Sequence, residues 1–311
     1  MNVAVIDCGT NSTRLLVADN NGATLAREMT ITRLGQDVAA TGRLHPDALN
    51  RVYDCLRRYR DIMDRCEVSS GTLVATSAAR DASNGAEFLA ECERITGVSA
   101  QLFTGAQEAT ASYLGATADL SLDSRPAMII DIGGGSTELA VVLDGALIAH
   151  SMQLGCVRVS ESHLGSGIVT PSAREAALGM IHSEIDRLFA SEPRFSNAIG
   201  AVRLIGLAGT IATLAQLDVG VSEYNRELVH HHVITRSVVQ HWTEVLGSET
   251  PEQRLARPGM VPGREDVLVG GLLVLGAVMD RFAIDQLLSS ECDILDGVAA
   301  QLQGRAPREL S

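Results

Sequence analysis

The chain has no lysine, and all 25 of its basic residues are arginine. Lysine-dependent P-loop and Schiff-base chemistry is therefore excluded, and any charged side chain that meets a phosphate must do so as a planar guanidinium fork. Positive charge is scarce overall. A formal net charge of −13 argues against broad binding of nucleic acid, which needs a basic face. Long hydrophobic runs are missing too: no apolar stretch approaches the roughly 20 residues of a spanning helix. The start, MNVAVIDCG, lacks the basic segment and small-residue cleavage site of a signal peptide. A cytoplasmic protein with no membrane partner is the expectation. The six cysteines include no CxxC pair, so zinc-ribbon and dithiol redox sites are not indicated. They read as buried thiols, Cys8 among them. No GxSxG elbow occurs, which argues against serine-hydrolase chemistry. His230, His231 and His232 are consecutive, and in a strand such neighbours would alternate faces and could not converge on one ion.

What is present fits a globular protein of two ordinary domains: 311 residues, 46% apolar and 20% charged. Two glycine-punctuated turns stand out, VAVIDCGTNSTR (Val3 to Arg14) and MIIDIGGGSTEL (Met128 to Leu139). In each, an apolar run of strand length delivers an aspartate, Asp7 or Asp131. Glycine and hydroxyl residues then turn the chain into a second strand. Glycine lets backbone pass close to a ligand and adopt positive φ, so that successive N–H groups can point at phosphate oxygens. A further echo follows each turn, Asn21-Gly22 and Asp144-Gly145, both hairpin signals leading to a third strand.

Gly133, Gly134 and Gly135 do not complete a dinucleotide fingerprint, because Glu138 stands at the sixth position and LAVVL reads as a strand rather than a helix. A tight hairpin alone would explain the glycines. It leaves unexplained why Asp precedes both turns and hydroxyls recur within them, Thr10 and Ser12 in one, Ser136 and Thr137 in the other. Those hydroxyls and the turn N–H groups suit phosphoryl oxygens. Carboxylates beside them need a metal between, so Asp7, Asp131 and Glu138 are candidate ligands of Mg2+ (or Mn2+), which prefers oxygen donors. For Glu138 the alternative is a solvated strand position.

Hydropathy patterning predicts strands near 2–8, 12–19 and 23–32, then a helix from Pro46 to Cys66 with Leu49, Val52, Tyr53, Leu56 and Met63 at helical spacing. A strand GTLVATS, a helix over 85–95, a strand VSAQLF and a helix over 105–117 follow. The polar stretch 118–126 reads as a linker. The second half repeats the order, with strands near 127–132, 136–143 and 146–154, and a helix opened by Thr170-Pro171. A strand VRLIGLA with helix IATLAQL, helices over 237–246 and 262–279, a strand DQLLSS and a short helix complete it. The expectation is two α/β domains, residues 1–122 and 123–311, with mixed sheets flanking a cleft.

DCGTNSTRLL, ATSAARD (Ala75 to Asp81), TGAQEA (Thr104 to Ala109), DIGGGSTEL and GLAGT (Gly206 to Thr210) occur in the order seen in the exopolyphosphatase and guanosine pentaphosphate phosphohydrolase family, within the sugar kinase, Hsp70 and actin superfamily. The sequence resembles that family over essentially its whole length. The resemblance implies two ribonuclease-H-like (actin-like ATPase) domains. It implies Glu108 as the catalytic base, at the second acidic position of a GxEEA-like segment whose first position is here Gln107. Without the family, Glu108 would read as a complement to a helix dipole. The resemblance also implies Arg80 as a phosphate contact. Gly9, Thr10, Asn11, Ser12, Arg14, Gly133, Gly134, Gly135, Ser136 and Thr137 complete the expected phosphate-binding set. Arg33, Arg43, Arg257 and Arg264 are further arginines that could extend a cationic path.

The implied activity is metal-assisted removal of the terminal phosphate of inorganic polyphosphate, with guanosine pentaphosphate, a stringent-response nucleotide, as the rival substrate. A superfamily kinase or a non-catalytic nucleotide-binding switch are the rivals from other classes. Longer family members carry extra helical domains beyond the place where this sequence stops, which implies short polyphosphate as substrate, weak processivity and a short two-domain form; a homodimer is compatible. The family usually has a basic residue where Leu295 stands, so the contribution of LSSECDILDG (Leu288 to Gly297) to substrate binding is open.

Overall fold

A computed structural model describes residues 1–120 and 125–305. The described residues gather into two compact units, one of residues 1–115 together with 292–305, the other of the described residues between 116 and 291. Of the expected linker 118–126, residues 121–124 lie outside the described residues, and so does the expected boundary between 122 and 123.

In the first unit, β1 (Asn2–Cys8), β2 (Ser12–Ala18) and β3 (Thr24–Ile31) form an antiparallel meander. β4 (Val68–Ala75) runs parallel to β1, and β5 (Ser99–Leu102) parallel to β4, giving the order β3-β2-β1-β4-β5. Side chains alternate across a strand, so β1 serves two cores. Ala4, Ile6 and Cys8 pack into a cluster with Val52, Cys55, Leu56, Tyr59 and Met63 of the helix Pro46–Arg65. That helix is opened by His45, which caps the Asp47 N–H, and by Pro46 in its first turn. Val3 and Val5 pack the other way, against Ala111 and against Ile294, Leu295, Val298 and Ala299.

Those last residues belong to the helix Ile294–Leu302, and they correct the expected domain division. The carboxyl-terminal helix does not stay with the second domain but covers the open face of the first sheet. Leu295 is fully buried there, in a site that would not accept a basic residue without desolvating it. The helix also lies backbone-close to the helix Gly105–Thr117: a Cβ on Gly297 would fall 1.9 Å from the Ala111 carbonyl oxygen, and one on Gly115 1.9 Å from that of Asp293.

The second unit repeats the plan. β6 (Ala127–Ile132), β7 (Thr137–Leu143) and β8 (Ala146–Met152) form the meander; β9 (Arg203–Leu207) is parallel to β6 and β11 (Gln286–Ser289) parallel to β9. Read from β8, the order is β8-β7-β6-β9-β11, which matches the first sheet strand for strand and is the ribonuclease-H-like arrangement the resemblance implies. The unit adds an edge strand, β10 (Val233–Thr235), antiparallel to β11. With three residues it is too short to show a period in sequence.

Three local expectations change. GTLVATS ends as a strand at Ala75, and Ser77 opens the short helix Ser77–Asp81. The helix expected from Pro262 begins only at Leu268, because Gly263 takes a φ of +87° that breaks the helical path. The histidine run is a turn rather than a strand, with His231 at a φ of +62°. His230 and His231 stack and both face Asp119, at 2.8 and 3.6 Å, while His232 reaches Asp218 at 2.7 Å. Among the described residues no helix is long and apolar enough to cross a membrane.

Candidate active site

Both aspartate turns are built the same way. In the first, the Gly9 N–H donates to the Ser12 carbonyl at 3.0 Å; in the second, the Gly133 N–H donates to the Ser136 carbonyl at 3.1 Å. Neither glycine adopts the positive φ expected from sequence. Each is there for close approach, since a Cβ would stand 3.2 Å (Gly9) or 3.3 Å (Gly133) from the carbonyl oxygen it faces across the turn.

The chain after each third strand returns to hold the turn's carbonyls, a device not read from the sequence. Thr32 and Arg33 N–H groups donate to the Asn11 carbonyl, and Gly35 N–H to that of Thr10. In the second unit, Cys156 N–H donates to the Gly133 carbonyl, and Val157 and Arg158 N–H groups to that of Gly134. The Arg158 Nε adds a bond to the Gly135 carbonyl at 2.8 Å. Gly155 makes this approach possible, because a Cβ there would lie 2.3 Å from the Gly134 oxygen. In a trans peptide the N–H points opposite to its C=O. The N–H groups of Asn11 and Ser12, and of Gly134, Gly135 and Ser136, are thereby turned away from these props, as an anion-binding nest requires.

The first turn sits beside the end of β4, since Cys8 and Ala75 are register partners. Around these two strand ends, four buried side-chain atoms have no hydrogen-bond partner among the described residues: Asp7 Oδ1, Asn11 Nδ2, Ser77 Oγ and Arg80 Nη2. Leaving such a group unmade costs about 1–3 kcal/mol each, and native structures rarely tolerate several together. Three are donors suited to phosphoryl oxygens. The fourth, an oxygen of Asp7, suits a cation. In sequence Ser77 is only one residue of ATSAARD, and nothing in the spacing marks it.

Asp7 and Arg14 are cross-strand partners, and two carboxylates engage the Arg14 guanidinium. Its Nε and Nη2 both donate to Asp7 Oδ2, at 3.0 and 2.7 Å, and its Nη1 donates to Asp293 Oδ2. Burial pushes the Asp7 carboxyl above its ordinary value, with Arg14 pulling it back. Asp293 is equally desolvated, yet it is held below its ordinary value because Arg14 and Arg27 both act on it. Cys8 is a packing residue. Its thiol is pushed well up by a hydrogen bond with Cys92 and by burial, which removes it as a nucleophile.

Glu108 lies in the first turn of the helix Gly105–Thr117 and is buried. Arg80 Nη1 donates to its Oε2 at 3.2 Å and to the Phe103 carbonyl at 2.8 Å. Gln107 has a different task. Its Oε1 accepts from the Thr104 N–H at 2.9 Å while the Thr104 hydroxyl accepts from the Gln107 N–H, a capping box that Gln closes as well as Glu. The departure at the first acidic position therefore leaves the second carboxylate in place.

In the second unit Asp131 and Glu138 are register partners on β6 and β7, both buried. Ser151 Oγ donates to Glu138 Oε1 at 2.6 Å, so Glu138 is not a solvated strand position. The Thr137 hydroxyl donates to the Leu154 carbonyl and so ties the strand to the chain that follows β8. Next to β6, Thr210 Oγ1 donates to the Ile132 carbonyl at 3.4 Å. The neighbouring Gly209 is covered by the buried Arg264, whose guanidinium a Cβ would meet at 1.8 Å. Of the other arginines named from sequence, Arg257 pairs with Glu249 and lies over Trp242.

Residues 15–305 match the Ppx/GppA phosphatase family. The chain is 36% identical to Exopolyphosphatase 2 of Mycobacterium tuberculosis, covering 97% of this chain and 98% of that protein. It is 26% identical to a guanosine-5'-triphosphate,3'-diphosphate pyrophosphatase of Aeromonas hydrophila, over 97% of this chain and 59% of that one. The crystal structure of an exopolyphosphatase-like protein superposes with a TM-score of 0.92 at 34% identity, covering 98% and 99% of the two chains. On these grounds the chain belongs to the Ppx/GppA phosphatase family.

Proposed function

We propose that the chain is an exopolyphosphatase, a phosphoanhydride hydrolase that releases the terminal phosphate of inorganic polyphosphate. The observation that carries this reading is the group of four unpartnered buried atoms around the ends of β1 and β4. Three donors and one carboxylate oxygen match a phosphoryl group accompanied by a cation, and match poorly an apolar or cationic ligand.

Roles follow for each unit separately. In the first, the N–H groups of Asn11 and Ser12, with Asn11 Nδ2, Ser77 Oγ and Arg80 Nη2, hold phosphoryl oxygens. Glu108, fixed by Arg80, orients the attacking water and takes its proton. As the water oxygen bonds to the terminal phosphorus, the bridging P–O bond breaks and its electron pair leaves with the shortened chain. In the second unit the N–H groups of Gly134, Gly135 and Ser136 form the other phosphate nest. In the first unit Asp7, and in the second Asp131 with Glu138, would hold Mg2+ or Mn2+: each offers only oxygen, as these ions prefer, and Asp7 Oδ1 is a buried acceptor with no partner among the described residues. When bound, the ion would neutralise charge developing on the phosphoryl oxygens.

The name of the Aeromonas relative makes guanosine pentaphosphate the second substrate to test. Phosphate release is measured with magnesium on short polyphosphate, long polyphosphate and guanosine pentaphosphate, beside ATP-dependent labelling of an acceptor. Release from polyphosphate without nucleotide is expected. Release from the guanosine nucleotide alone would reassign the substrate. Acceptor labelling, or no release at all, would overturn hydrolysis.

A further inference from the structure

Asp293 lies in LSSECDILDG, the segment whose contribution the sequence leaves open, and it reaches into the first turn. It caps the carboxyl-terminal helix: its Oδ1 accepts from the Leu295 N–H at 2.9 Å, and Asp296 Oδ2 accepts from the Asp293 N–H at 2.9 Å. Its second oxygen, Oδ2, takes the Arg14 Nη1. Arg27 closes the chain by donating to Asp296. Charges therefore alternate from Asp7 through Arg14 and Asp293, and again through Arg27 and Asp296, with a helix cap at their centre.

The consequence lies in how Arg14 meets Asp7. A guanidinium facing a carboxylate usually engages both oxygens in a fork. Here Nε and Nη2 both fall on Oδ2, at 3.0 and 2.7 Å, and Oδ1 is left buried with no partner. Nη1, whose edge could otherwise swing toward Oδ1, is held by Asp293. We propose that Asp293 is a positioning residue for the metal-bearing carboxylate: by fixing Arg14 it keeps Oδ1 of Asp7 open to the cation. The inference rests on the reading of Asp7 as a metal ligand. It gives the carboxyl-terminal helix a role in the site through its cap, with no contact to substrate.

The test is Asp293→Asn in the full chain. Asparagine caps a helix as well as aspartate does, so the helix should hold, with a lower melting temperature from the weakened pair with Arg14. The weakened hold on Arg14 should lower Mn2+ affinity, read by EPR of free Mn2+ without substrate, by about tenfold, the effect usual for outer partners of metal ligands. Asp293→Ser, which also caps, guards against an effect peculiar to the amide and should weaken Mn2+ in the same way. Added to Arg14→Gln, Asp293→Asn should change nothing further, because both act through one guanidinium. Wild-type Mn2+ affinity in both Asp293 variants, or additive losses in the double variant, overturns the inference. Asp7→Asn separates the two layers. If it binds Mn2+ as the wild type does, or if the wild type binds none, the metal reading of Asp7 falls and this inference falls with it. If Asp7→Asn loses Mn2+ while the Asp293 variants do not, only the positioning role fails.

Discussion

Asp131 and Glu138 face each other across β6 and β7 at the register position that Asp7 and Arg14 occupy on β1 and β2. The duplicated turn has thus diverged at the residue that faces its aspartate. The first copy sets an arginine opposite its aspartate, and the second sets another carboxylate there. Like charges directly opposite on antiparallel strands destabilise the pair, and burial strengthens the repulsion. A divalent cation, as proposed, would turn that repulsion into coordination. Glu138→Gln keeps the shape and an acceptor for Ser151 but halves the formal charge of the pair. The magnesium concentration giving half-maximal phosphate release should rise by about tenfold or more, and chelation should abolish release in the unchanged protein. An unchanged magnesium dependence in Glu138→Gln would remove Glu138 from the ligand set.

Glu108 is held by the Arg80 guanidinium at 3.2 Å and is expected to accept the proton of the attacking water. Glu108→Gln retains an oxygen for Arg80, so the local geometry should survive. Turnover should fall by about 10²–10⁴, the range that general bases contribute, while polyphosphate binding measured by calorimetry stays near wild type. Near-normal phosphate release would sink the assignment. A parallel loss of binding would make Glu108 a structural partner of Arg80 instead.

The sequence made the duplicated sheets legible because each meander carries its own alternation and its own Asp-Gly punctuation, and the long helices Pro46–Arg65 and Pro171–Ser191 carry proline in their first turns. The carboxyl-terminal helix was misplaced for a physical reason. Its apolar residues at 294, 295, 298 and 299 announce a buried face, but periodicity says nothing about which sheet a helix covers. The same limit applies to the site. Asp7, Glu108, Asp131 and Glu138 stood out as carboxylates in motifs, whereas Gly155, Arg158 and Asp293 act through distant backbone or side-chain partners, and Ser77 comes to the first turn only because the end of β4 lies beside it. Arg14 and Thr137 went the other way: both lie in motifs, and both are engaged by the protein itself.

Gly155 illustrates the cost of a contact that sequence spacing hides. Its Cα lies so near the second turn that a Cβ would stand 2.3 Å from the Gly134 oxygen and 2.6 Å from the Gly135 nitrogen, distances that backbone cannot absorb without moving. Gly155→Ala should displace the peptides whose N–H groups form the nest. Positioning errors of this kind cost about 10²-fold in rate, and overpacking costs about 1–3 kcal/mol in stability. A folded variant with strongly reduced turnover is expected. Wild-type kinetics in Gly155→Ala would show that the nest does not carry phosphate.

Arg254 governs stability rather than chemistry. It is the largest fully buried side chain among the described residues, only 1% exposed, and it is satisfied by backbone alone. Nε donates to the Leu246 carbonyl at 2.7 Å, Nη1 to those of Ser166 and Glu265 at 3.2 and 2.9 Å, and Nη2 to that of Gly167 at 2.7 Å. One guanidinium thus ties the end of the helix Arg236–Gly247 to two loops, one of them next to Arg264, which lies over Gly209. Desolvation weakens its hold on its proton, but arginine stays charged in proteins. Lysine offers a single point of donation and cannot serve four divergent carbonyls. Arg254→Met should leave those carbonyls buried and unpaired, and Arg254→Lys should not rescue them. Each should lose about 3–5 kcal/mol in urea unfolding of the second unit, seen as a lower midpoint at unchanged slope. A loss below about 1 kcal/mol would mean that water replaces the guanidinium, and that the loops are held by their own hydrogen bonds.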